Sequence, residues 1–236
     1  MALTLTSLAA TAGSGTSWVT SSLTFVAGDL IVVAVTNNSN GVGQQITGVS
    51  DDSGSGSWTS LGEGDSSSFD AAWWYKVANG SETEITVSFT ATIAYDGIIA
   101  KGTGHAGTWT LEGSPGEDES YLVSASTTSV GGGSITNTTA SALALMMVAV
   151  DGGSTMDAGR AVSDGASYTE LAESGTQIFL FYSVKSATGT YSPAYSFSDT
   201  GDQCYGASAI FGDVSGGGGG FQPAWARGCN ALLKAA

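Results

Sequence analysis

The chain has 236 residues, with 21 Asp and Glu against 6 Lys and Arg, a net charge of −15 and 42% hydrophobic residues. That balance excludes a nucleic-acid surface, which needs clustered Lys and Arg for phosphate contacts. No apolar run reaches the ~18 residues of a membrane helix, so no membrane partner is expected. The opening MALTLTSLAATAGSG has neither a basic n-region nor a long apolar h-region, and reads as a cytoplasmic start. Two cysteines, Cys204 and Cys229, make no metal spacing and no disulfide framework, and read as reduced thiols.

From the N-terminus onward, short apolar runs alternate with Gly/Ser/Asp/Asn clusters, the pattern of short strands and tight turns. GDLIVVAVT, residues 28–36, is a continuous apolar run that suits a central strand buried on both faces. In AAWWYKV the strand period puts Ala71, Trp73, Tyr75 and Val77 on one face and Trp74 on the other. ETEITVSFT alternates most cleanly, with Ile85, Val87 and Phe89 inward and Glu84, Thr86 and Ser88 outward. No amphipathic helix is predicted before residue 221, and the fold class is all-β.

The second half repeats the first. Residues 31–35, IVVAV, return as residues 146–150, MMVAV, at an offset of 146 − 31 = 115. Val49-Ser50-Asp51 returns as Val162-Ser163-Asp164, at 162 − 49 = 113. Trp58-Thr59-Ser60-Leu61 matches Tyr168-Thr169-Glu170-Leu171, and Trp74-Tyr75-Lys76-Val77 matches Phe181-Tyr182-Ser183-Val184. Val87-Ser88-Phe89-Thr90 matches Tyr195-Ser196-Phe197-Ser198, and Tyr95 matches Tyr205. The order is kept throughout, which predicts a tandem duplication: a first β-sandwich module over 1–112, a second over 113–214, and a C-terminal arm over 215–236. The sandwiches, jelly-roll or Ig-like, are expected side by side, the alternative being two sheets contributed to one larger sandwich. Ile178, Leu180, Tyr182 and Val184 should face the core of the second module. Trp74 and Phe181 fall at equivalent outward positions, either under a covering loop or at a subunit or domain interface.

Residues that could carry chemistry are sparse. His105, the single histidine, lies in GTGHAGTW with no ligand or carboxylate beside it, and no G-x-S-x-G surrounds a serine. Glu63, Asp65 and Asp70 include carboxylates that a glycosidase could pair, but nothing in the sequence gathers them into a cleft. Asp51 and Asp52, and Asp199 and Asp202, sit in turn sequences that could also hold calcium, though without EF-hand spacing. No catalytic residue, metal or cofactor is assigned, and the chain is not expected to be an enzyme.

The closing segment, GGGGGFQPAWARGCNALLKAA, reads as a glycine linker followed by an anchor. Residues 221–236 carry Arg227 and Lys234 and no acid, a charge of +2, which leaves 4 basic and 21 acidic residues, or −17, in the rest. Phe221, Pro223, Trp225 and Arg227 are residue types that anchor interfaces. NALLKAA, with Leu232 and Leu233, is long enough for one or two helical turns once docked. An arm reaching a neighbouring subunit is expected, against the alternative of one that folds back on its own domain.

AGDLIVVAV, ITGVSDDSGSGSWTSLG, AWWYKV and TEITVSF together resemble a β-sandwich module common in accessory virion proteins of tailed bacteriophages. FQPAWARGCN looks like a C-terminal motif of phage structural proteins. The resemblance covers Gly28 to about Lys101, and covers the second copy more weakly, since SALALMMVAV lacks the Gly-Asp start. It implies a virion component assembled in the host cytoplasm: a capsid decoration (cement) protein, a head fibre, or a tail fibre. The partners it implies are the major capsid protein or other virion subunits and further copies of the chain in a homo-oligomer. The competing class is a carbohydrate- or receptor-binding module that reads a host surface glycan, with Trp18, Trp58 and Trp109 as possible stacking platforms.

Overall fold

The computed structural model describes residues 2–37, 45–65, 70–118, 129–150, 160–175, 177–196 and 204–214. In chain order its strands are β1 (Thr4–Thr20), β2 (Leu30–Asn37), β3 (Ile46–Asp51), β4 (Thr59–Asp65), β5 (Asp70–Val77), β6 (Ile85–Thr103), β7 (Thr108–Leu111), β8 (Gly116–Asp118) and β9 (Ser129–Gly131). There follow β10 (Ile135–Asn137), β11 (Ala142–Val150), β12 (Ala161–Ser163), β13 (Thr169–Ser174), β14 (Ile178–Lys185), β15 (Gly189–Tyr191), β16 (Ala194–Ser196) and β17 (Cys204–Val214). The described residues are all-β, without a helix, as the turn-rich composition predicts.

Two broad antiparallel sheets dominate. The first runs β1-β6-β2-β5-β4, with β3 also on β6; the second runs β7-β17-β11-β14-β13, with β8 also on β17. Strand order is therefore the same in both. β7 precedes residue 112 in the chain yet pairs with β17, Phe211 opposite Leu111, so the path enters the second sheet between residues 103 and 108.

β2 and β11 are buried along their whole length, as a continuous apolar run requires. The strand period sorts their side chains between two layers. Leu30, Val32 and Ala34 of β2 join Leu143, Leu145 and Met147 of β11 in one central cluster, with Trp73, Ile98, Leu180 and Phe211. The alternate residues Ile31, Val33 and Val35 join an outer cluster with Trp18, Phe25, Ile85 and Val87. Ala144, Met146 and Val148 join another, with Val130, Val162 and Tyr195. The broad sheets thus stack face to face across a shared core, and each has a second core on its outer side. This combines the two arrangements that the repeat allows. Burying a large aliphatic or aromatic side chain contributes about 1.5–3 kcal/mol, so the shared layer ties the halves together strongly.

The outer layers are built from the same segments in both halves. Val49 of β3 pairs with Val87 of β6, and Val162 of β12 pairs with Tyr195 of β16. On the other side of these strands, Trp18 pairs with Val87 and Val130 with Tyr195. β4 and β13 also share an irregularity: β4 is bulged between Ser60 and Gly62, and β13 between Glu170 and Ala172. A bulge admits one unpaired residue and sharpens the local twist. Here the extra residues are Leu61 and Leu171, and both pack against the central cluster.

Two matches need correction. Trp74 lies opposite Val33 and Phe181 opposite Met146, so matching Trp74 to Phe181 sets β2 against β11 at an offset of 146 − 33 = 113, not 115. The slip of two keeps the face, which is why the alternation concealed it. Tyr95 and Tyr205 do not correspond: Tyr95 packs on the outer side against Trp18 and Phe89, whereas Tyr205 lies in the central cluster. Within the first half, Gly97 is where Trp18 crosses the sheet. A Cβ there would run into the indole ring, so the close approach requires glycine.

Candidate functional site

The face assignment in AAWWYKV holds: Ala71 and Trp73 belong to the central cluster, with Tyr75 and Val77 packed against it. Trp74 and Lys76 therefore point outward together. Trp74 is covered within its own half by the outer cluster, and Phe181 is covered likewise in the second. Lys76 is only 2% exposed, because the DDSGSGSW loop between β3 and β4 closes over it.

Four oxygens surround the Lys76 ammonium. Nζ donates to Asp51 Oδ2 at 2.8 Å, to Ser53 Oγ at 3.0 Å and to the Ser55 carbonyl at 2.6 Å, and Glu82 Oε1 lies at 3.0 Å. Each acid is held in turn. Asp51 also accepts from Trp58 Nε1 at 2.8 Å and from the Ser53 amide at 3.0 Å. Glu82 accepts from the amides of Asn79 and Gly80 at 2.9 and 3.0 Å. The neighbouring Asp52 takes the amides of Thr83 and Glu84 at 2.8 and 3.1 Å and the Thr83 hydroxyl. Those bonds, led by the Thr83 hydroxyl, hold its carboxyl at about 2.

Burial by itself would neutralise these groups, pushing the acids up and the lysine down. The hydrogen bonds and opposite charges outweigh it: Asp51 and Glu82 stay below the usual carboxylate range and Lys76 above the usual lysine value. A catalytic lysine needs the opposite shift, since only the neutral amine has a lone pair to offer. Lys76 occupies the position a loop cation would take, among the side-chain and carbonyl oxygens that the turn sequence offers to calcium.

The second half repeats the device with different parts. Lys185 sits 2.7 Å from Asp164 Oδ2, and Asp164 is the residue that the VSD sequence match sets against Asp51. The Tyr168 hydroxyl donates to the same carboxylate at 3.0 Å, as the Trp58 indole does in the first half. The Lys185 ammonium also lies 4.5 Å from the Tyr168 ring centre and 4.7 Å from that of Tyr191. Burial, reinforced by the Asp164 charge, drives the Tyr168 phenol far above its ordinary value. The two other described basic residues are engaged as well. Lys101 donates to the Thr24 carbonyl, and Arg160 pairs with Glu170 and Glu173.

A cleft of about 350 Å³ opens beside this loop, lined by Val49, Ser50, Asp51, Gly54, Ser55, Gly56 and Trp58. Trp58 is half-buried at its wall, while Trp18 and Trp109 are 2% and 3% exposed and cannot serve as platforms. Asp70 is buried, accepting from Asn37 Nδ2 at 2.8 Å and the Gln45 amide at 2.6 Å, while Glu63 is exposed on edge strand β4. The side chain of Asp65 lies outside the described residues. His105 packs against Trp109 with tilted rings, centroids 5.2 Å apart, where the chain passes between the sheets. Asp199, Asp202 and the anchor residues Phe221, Pro223, Trp225, Arg227, Leu232 and Leu233 also lie outside the described residues.

Sequence reading missed the two buried lysines. The signal was present: a single Lys falls in the last two positions of each of two mainly apolar runs, AAWWYKV and IFLFYSVK, and each half carries a VSD turn that supplies the acid. No protein-family model, curated protein or solved structure matches the chain.

Proposed function

We propose that the chain is a non-enzymatic structural subunit of a phage particle, a capsid decoration or head-fibre protein made of two duplicated β-sandwich modules. The observation that carries this reading is where the charge goes. All four described basic residues, and the carboxylates that line or adjoin the cleft, are spent on fixing loops to sheets. Such a body suits a protein that lends shape and an acidic, self-repelling exterior to a larger assembly. The common strand order, the matching outer pairs and the paired bulges at Leu61 and Leu171 support the duplication.

In this reading the major capsid protein or other virion subunits, together with further copies of the chain, are the partners. Attachment runs through the arm of residues 215–236, with Trp225 and Arg227 as its main anchors. Mass spectrometry of particles purified from the encoding virus tests it. The chain should be present in fixed ratio to the shell protein, and Trp225→Ala with Arg227→Ala should remove it from particles while leaving its melting temperature unchanged. Particles without the chain, or particles that retain the double variant in full, would refute the reading.

A carbohydrate-binding reading is favoured by one observation, the placement of half-buried Trp58 on the wall of an open cleft. A glycan-array signal lost in Trp58→Ala would support it over decoration.

A further inference from the structure

Three of the four outer edges of the broad sheets are blunted against pairing. β4 carries a bulge and the exposed Glu63, and β13 a bulge with Glu170 and Glu173. The edge made by β7 and β8 is broken between the two strands by a turn that contains Pro115. Charges, prolines and bulges are the usual means by which sheet edges avoid each other.

β1 holds the corresponding edge of the first sheet and is blunted only by bulges. Its 17 residues, TLTSLAATAGSGTSWVT, include no charge and no proline, and the first charged residue of the chain is Asp29. Its bulges divide it into three paired stretches, falling between Ser7 and Ala9 and between Gly15 and Ser17. Between them, residues 9–15 pair without interruption with residues 93–99 of β6. Among the described residues no strand pairs with the opposite side of β1. Alternate amides and carbonyls of this stretch, about 24 Å long, therefore point away from the sheet with no strand partner among the described residues. Ala10, Thr11, Ala12 and Ser14 beside them are exposed.

We propose that a second copy of this chain docks on β1, antiparallel across a two-fold axis, so that the first sheet continues from one chain into the next. Edge-to-edge addition draws its affinity from main-chain hydrogen bonds, and a two-fold contact must be self-complementary. The charge distribution selects the occupant. Two bodies of charge −15 repel wherever carboxylates face one another, and β1 contributes none to its own edge. Asp96, opposite Ala12, is buried, while the acids of neighbouring β13 make the contact salt-dependent. A basic foreign strand would find no carboxylate on β1 itself to recognise. This inference does not depend on the virion reading and is tested without particles.

Sedimentation velocity on the full chain should show a monomer–dimer equilibrium that tightens about tenfold or more between about 0.05 M and about 0.5 M salt, as screening relieves repulsion between the bodies. Ala12→Lys should abolish the dimer, although it lowers the net negative charge. The same charge change at Val26, which is 66% exposed and off the edge, should leave the dimer intact or strengthen it. Hydrogen exchange on the full chain should show protection of alternate amides in residues 9–15 that rises with protein concentration. A monomer at all salt concentrations would overturn the proposal, as would equal dimerisation of Ala12→Lys and Val26→Lys. Protection independent of concentration would also overturn it, assigning the edge to a segment of the same chain.

Discussion

Replacing Lys76 with methionine keeps the stem of the side chain and deletes the ammonium. Asp51 and Glu82 would then be left 4% and 0% exposed with no opposing charge. Removing one partner of a buried ion pair costs about 3–5 kcal/mol. In a chain of this size about 1 kcal/mol moves the midpoint by roughly 2–4 °C, so K76M should melt roughly 6–20 °C below the parent at pH 7. The pH dependence gives a second, independent readout. In the parent, Asp51 and Glu82 have depressed values, so the stability they contribute is present above their unfolded values, near about 4, and is lost as pH falls through the folded ones. In K76M the same acids, desolvated and unpaired, take up protons more readily than in the unfolded chain, so acid relieves the defect. The gap between parent and variant, followed by calorimetry or circular dichroism, should therefore narrow from pH 7 to about pH 4. Adding D51N and E82Q to K76M should recover much of the loss, because the uncompensated charges are gone. A loss below about 1 kcal/mol, or a gap that does not change with pH, would refute the view that Lys76 pins the loop electrostatically.

Tyr168→Phe removes one donor to the buried Asp164 carboxylate while keeping the ring under Lys185, and should cost about 1.5–3 kcal/mol in denaturant titration. Gly97→Ala sets a methyl against the Trp18 ring and should destabilise by about 1–3 kcal/mol, with a change in Trp fluorescence. Asp96 is buried where the first sheet meets β13, and burial raises its carboxyl despite a 3.1 Å bond from the Ser174 hydroxyl. The folded state then holds that proton more tightly than the unfolded chain, so stability falls as pH rises from the unfolded value through the folded one. Asp96→Asn should accordingly raise the melting temperature at pH 7 and leave it unchanged near about pH 3.

Much of the local architecture was legible in the sequence because a strand has a period of two. A continuous apolar run named β2, its match MMVAV pointed to β11, and alternation in AAWWYKV put Trp73 and Trp74 on their correct sides. The same period hid an error: a shift of two residues in matching β2 to β11 changes no face, and a run of Val, Ala and Met offers no landmark to expose it. A shift of one does change the face, and pairing Tyr95 with Tyr205 failed for that reason. The shared central layer was not legible, since an apolar face does not say whether it will meet its own module or the other one. The lysine cages were legible only in part. The strands show a lysine out of place, but the loop carbonyl and the distant Glu82 that satisfy Lys76 are brought to it by the fold. For the anchor the position is different, since residues 221–236 lie outside the described residues and rest on the sequence alone.

The stacking of the two broad sheets has a consequence for synthesis. Leu30, Val32, Trp73 and Ile98 line a face whose cover is supplied by residues 143–211. At about 5–20 residues per second, roughly 5–20 s separate translation of β6 from that of β17. During that interval the nascent first half presents a finished sheet with one oily side and no lid. On a polysome, the lid that arrives first can belong to the neighbouring chain. Exchange of second halves between nascent chains is thus the characteristic misassembly this topology invites, and slower translation through residues 104–141 would increase it.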